Sequence, residues 1–129
     1  MLLPHGTVIA VIDGRNFDLF RNSGDEAAPE LTETAAPRLD AHNHSASSHR
    51  DAGAAVMTED AHAIAAVEWL GAQVQGHHIE HLVVIAPPRA LGELRKHYTK
   101  GLEKALLGEV AKDLAGRKGA EILAQLKAK

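Results

Sequence analysis

The segment Leu82-Val83-Val84-Ile85-Ala86, followed at once by Pro87-Pro88, constrains the fold more than any other part of the chain. Five consecutive apolar residues suit a strand covered on both faces, and such a strand belongs to a sheet with helices packed against it. The prolines end it because they cannot donate to a sheet ladder. A second run of this kind, Thr7 to Asp13, stops at the turn pair Asp13-Gly14. Asn16 to Arg21 then alternates, with Phe17, Leu19 and Arg21 opposite Asn16, Asp18 and Phe20. The two segments are expected to form a hairpin whose first strand is buried and whose second is half exposed, Phe20 lying on the open side. A turn at Asn22-Ser23-Gly24-Asp25 leads to a weaker third strand around Glu30 to Ala35.

Thr58 has the chemistry of a helix N-cap, with Glu59 and Asp60 suited to the positive end of the helix dipole. Ala61, Ile64, Ala65, Val67, Trp69, Gly71 and Val74 follow on a broad apolar face, and Gly76 is placed to end the helix. Beyond the 82–86 strand, Arg89 to Tyr98 and Lys100 to Leu107 are expected to be helical, with Leu91 and Leu94 in the core. Glu109 to Leu114 reads as a short strand or a connecting turn, and Arg117 to Lys127 as a last helix. A three-strand meander followed by α/β units predicts an α/β fold with a mixed sheet, an element order similar to that of ribonuclease-H-like folds. The 129 residues are read as one domain, 1–129, interrupted by a loop over 37–57 that is small, polar and histidine-bearing and is expected to be mobile.

Composition removes several classes of chemistry. Without cysteine, disulfides, thiolate metal sites and cysteine nucleophiles are excluded, in keeping with a cytoplasmic location. No signal-peptide pattern opens the chain, and no apolar run approaches the ~20 residues that a membrane helix needs. The net charge of −3 is unevenly spread. Residues 1–88 carry 4 basic and 12 acidic side chains, whereas residues 89–129 carry 10 basic and 5 acidic. The second part can therefore offer a basic face to phosphate or to an acidic partner, or simply a solvated helix surface. No cofactor motif is present: there is neither a GxGxxG nor a P-loop, and no cofactor is expected.

The segments VIAVIDGRNFDLFR, HRDAG and HLVVIAPPRALGELRK, with AKDL and EILAQL after them, resemble the bacterial host-attachment proteins, described as required for attachment to host cells. That family is in turn distantly similar to the catalytic-loop domain of archaeal and eukaryotic peptide-release factors and their bacterial relatives. The resemblance implies a ribonuclease-H-like, release-factor middle-domain-like fold and an RNA or ribosome partner. In release factors a Gly-Gly-Gln tripeptide sits between the third strand and the first long helix. Here no Gly-Gly-Gln occurs anywhere, so that route to peptidyl-tRNA hydrolysis lacks its residues. A non-enzymatic binding module is the expectation that follows.

Three groups of side chains are candidates for function. Arg89, Arg95 and Lys96 follow a buried strand at a strand–turn–helix junction, where anions and RNA phosphates bind; alternatively, Pro87-Pro88-Arg89 only redirects the chain and Arg89 pairs with an acid. His42, His44, His49, Arg50 and Asp51 lie in the 37–57 loop. Asp13, His42 and His44 could serve a metal-dependent hydrolase, although Asp13-Gly14 is also a plain turn pair and no spaced ligand motif is present. His77 and His78 sit where a cation suits a helix C-terminus. A protein partner acting in attachment, and a homodimer formed through exposed strand edges, are further expectations.

Overall fold

The computed structural model describes residues 1–39 and 58–127. Five strands and four helices follow in the order β1 (Val8–Ile12), β2 (Phe17–Asn22), β3 (Leu31–Thr34), α1 (Glu59–Gln75), β4 (Leu82–Ala86), α2 (Pro88–Arg95), α3 (Lys100–Ala105), β5 (Leu106–Ala111) and α4 (Gly119–Lys127). They build one mixed sheet of order β3-β2-β1-β4-β5. The β1–β2 and β2–β3 pairs are antiparallel, while β1–β4 and β4–β5 are parallel. The expected α/β fold, a meander followed by α/β units, is what the chain adopts.

The two continuous apolar runs are β1 and β4, neighbours at the centre of the sheet, and every residue of both is buried. Alternation sends their side chains to opposite faces. Val8, Ala10, Ile12, Leu82, Val84 and Ala86 join a cluster with Ala63, Ala66, Val67 and Leu70 of α1, Leu91 and Leu94 of α2, and Leu102 of α3. Ile9, Val11, Val83 and Ile85 join Ile122 and Leu126 of α4 on the other face. Helices on both sides are the reason neither strand shows a polar alternation.

Several expectations from the sequence need correction. Phe20 is not exposed: it is 2% accessible and packs with α4, because β2 is an internal strand covered on both faces. Arg21 is exposed and Phe17 and Asp18 are partly buried, so the open part of that strand lies at these residues and not at Phe20. The apolar face of α1 centres on Ala63, Ala66, Val67 and Leu70, while Ile64 and Trp69 are only partly buried. The helix expected over 100–107 ends at Ala105, and the fifth strand starts at Leu106 rather than near Glu109. Leu107 is skipped in the β4–β5 register, where Leu82 pairs with Leu106 and Val83 with Gly108. This bulge hid the strand's alternation.

Candidate functional site

Parallel pairing of β1 with β4 brings the connections after both strands to one edge, the carboxyl edge of the sheet. α1 begins at that edge too. Thr58 caps it, its hydroxyl oxygen accepting from the Ala61 N–H at 3.0 Å, as the sequence predicts. The three elements enclose a cleft of about 320 Å3 lined by Asp13, Arg15, Glu59, Asp60, Pro87 and Arg89, among others. Gly14 allows the close approach, since a Cβ there would lie 2.6–2.7 Å from the side chain of Glu59.

Asp13 is held as a turn residue. One carboxylate oxygen accepts from the backbone N–H groups of Arg15 (2.7 Å) and Asn16 (2.5 Å), and the other from the Asn16 side-chain amide at 3.0 Å. Burial opposes its ionisation, but these hydrogen bonds and the nearby His62 outweigh burial and hold the carboxyl below its ordinary value. His62, one turn into α1, faces the Asp13 carbonyl with Nδ1 at 2.9 Å. A carbonyl only accepts, so Nδ1 carries the proton there and Nε2 is left as the ring's free nitrogen. Among the described residues no three histidine or carboxylate side chains converge to hold a metal ion. Asp13 thus serves its turn, while His42 and His44, grouped with it from the sequence, lie outside the described residues.

Arg89 stands in the first turn of α2, exposed beside the cleft. That helix start has Pro87 as its cap, no side-chain capping bond and no acidic residue in its own first turn, and the carboxylates nearest to it are those of Asp13, Glu59 and Asp60 across the cleft. At α1 the corresponding turn carries Glu59 and Asp60. Arg95 lies at the other end of α2, roughly 9 Å along the axis at 1.5 Å per residue. Its guanidinium donates from Nε (3.0 Å) and Nη2 (2.7 Å) to one oxygen of Glu109, while the Tyr98 hydroxyl donates to the other at 2.7 Å. The Arg95 hydrogen bond holds Glu109 below the usual carboxylate range, and burial followed by the Glu109 contact pushes the Tyr98 phenol far up. Lys96 reaches Glu93 at 3.4 Å. The three residues grouped by sequence therefore divide: Arg89 borders the cleft, and Arg95 and Lys96 belong to a charge network on the flank.

The fold adds Arg15, which the sequence did not single out, and places Arg117 and Lys118 of the basic second part of the chain. Arg15 enters the cleft from the β1–β2 turn. The β5–α4 connection, with exposed Arg117 and Lys118, reaches the same edge because β5 is parallel to β4 and Ala111 pairs with Ala86. Its Gly116 N–H donates to Asp18 at the start of β2 at 3.2 Å. Only strand order could have revealed this grouping, since Arg15, Arg89 and Arg117 are far apart in the chain. The loop candidates His42, His44, His49, Arg50 and Asp51, and the expected mobility of 37–57 from residue 40 onward, lie outside the described residues.

The model of bacterial archaeo-eukaryotic release factor family 12 matches residues 6–126 of the chain. No curated protein and no solved structure matches the chain. No described helix is long and apolar enough to cross a membrane.

Proposed function

Since the chain belongs to bacterial archaeo-eukaryotic release factor family 12, we propose that it is a non-enzymatic binding module that meets RNA or the ribosome through the carboxyl edge of its sheet. The observation that carries this reading is the shared position of Arg15, Arg89 and the 112–118 connection at the edge where α1 begins. α1 is preceded by the β3–α1 connection, which in release factors bears the Gly-Gly-Gln. Here that connection has no such tripeptide but carries Arg50 and three histidines. It supplies positive and titratable groups to the same partner without the means for peptidyl-tRNA hydrolysis. Arg95 and Lys96 extend the surface along the flank of α2. The strand meander followed by α/β units supports a ribonuclease-H-like framework for the module, and an effect on host attachment would then be indirect.

Sedimentation of the tagged full chain through a gradient of bacterial lysate, at low and moderate salt, tests the reading. Co-migration with ribosomal particles is expected at low salt, weakening as salt rises because phosphate contacts release counterions. R15A/R89A should reduce it more than R95A/K96A, whose side chains are engaged with Glu109 and Glu93. Protein remaining at the top of the gradient at both salt levels overturns the proposal. A partner kept after nuclease treatment would point instead to a protein-interaction role. Stoichiometric metal lost in H42A/H44A would point to the hydrolase reading.

A further inference from the structure

The opposite, amino edge of the sheet gathers histidines from separate parts of the chain. His5 precedes β1, and His77, His78 and His81 occupy the turn between α1 and β4. With Arg21 of β2 and Glu80 they line a cavity of about 330 Å3. Two of these groups are tethered in place. The His5 Nδ1 lies 2.6 Å from the Gly24 carbonyl, so that nitrogen donates and Nε2 remains for other partners. Arg21 donates from Nη1 to the Gly6 carbonyl at 3.1 Å, leaving its other N–H groups available. His77 has φ +64°, left-handed backbone that favours glycine, although Gly76 stands one position earlier with φ −82°. His77 is the left-handed residue that closes α1, its N–H donating to the Val74 carbonyl and that of His78 to the Gln73 carbonyl, and this helix stop sets both imidazoles beside the cavity.

Among the described residues no set of three ligands converges on a metal position. What the four imidazoles share is charge, because histidine changes its charge between pH 5 and 8. Arg21 and Glu80 balance each other, and Lys104 of α3 lines an adjoining groove of about 780 Å3 that also includes His77, Glu80 and His81. Asp25, next to Gly24, is engaged with the Ala28 N–H. Protonation therefore turns a nearly neutral cavity into a cationic one. We infer that this cavity binds a phosphate group and binds it more tightly as the pH falls. The smaller cavity takes the phosphate, and the groove between α1 and α3, with Val74 and Ile79 among its walls, has room for the body of a nucleotide-sized ligand. The site is at the other edge from Arg89 and does not depend on the RNA-facing reading.

The test is a titration of the full chain with sulfate, which remains a dianion at pH 6.0 and 7.5 and so leaves any pH dependence to the protein. Histidine ring proton resonances are followed by NMR at constant ionic strength. Sulfate should shift the signals of His5, His77, His78 and His81 but not that of His62 at the far edge, with affinity on the order of tenfold higher at pH 6.0. R21Q and H78Q should each weaken binding, and H77G should weaken it while raising the melting temperature. Inorganic phosphate and AMP are then compared: tighter AMP binding identifies a nucleotide-sized ligand that also fills the groove, and equal binding identifies the free ion. Shifts no different from those with chloride, equal affinity at both pH values, or undiminished binding in both R21Q and H78Q would overturn the inference.

Discussion

Asn22 has no exposed surface, yet each of its polar atoms is engaged. Its amide nitrogen donates to the Leu3 carbonyl at 2.8 Å, and its oxygen accepts from the N–H groups of Gly24 and Glu30, each at 2.9 Å. One side chain thereby fixes the N-terminal segment and the β2–β3 turn. Asn22→Ala should lower unfolding stability by roughly 2–4 kcal/mol in chemical denaturation, since one buried and two part-buried backbone groups lose partners at once. Glu109 and Asp13 set a different dependence. Both carboxyls lie below their unfolded reference values of 4.5 and 3.8, so their stabilisation is present above those values and is lost as the pH falls through the folded ones. A melting temperature that falls on acidification below about pH 4.5, with a shallower fall in E109Q, is the expected result. An identical acid limb in E109Q would show that the Arg95–Glu109–Tyr98 network contributes nothing to it.

Among the elements, α2 is short but well anchored: Leu91 is 2% accessible and Leu94 has no accessible surface. Leu94→Ala should destabilise the protein by about 2–5 kcal/mol in a denaturant titration. Leu91→Ala should act in the same direction, and an unchanged midpoint in both variants would contradict their place in the core. The leucine spacing made this face readable from sequence. The face of α1 was less legible because it is built from alanines, which favour helix without saying which side is buried; packing against β1 and β4 selects Ala63 and Ala66 over Ile64. Trp69, only partly buried, instead meets Phe17 edge-on with ring centroids 5.7 Å apart.

Across the whole molecule, the two edges of one sheet carry different charge chemistry. The carboxyl edge sets Arg15 and Arg89 beside Asp13, Glu59 and Asp60 around the start of α2, whereas the amino edge collects histidines around the end of α1. Acidification should therefore strengthen sulfate binding at the amino edge, while added salt should release ribosomal particles from the carboxyl edge; the two responses should be separable in R21Q and R89A. The apolar strands β1 and β4, the Thr58 cap, the core leucines of α2 and the α/β class were legible along the chain, because each is written in local periodicity, capping chemistry or turn residues. The chain also held the segments that resemble release-factor relatives. The burial of Phe20, the pairing of Arg95 with Glu109, and the meeting of Arg15 with Arg89 and of His5 with His77 and His78 came from folding alone. Those relations depend on strand order and on which helix covers which face, and contacts between distant segments leave no period in the chain.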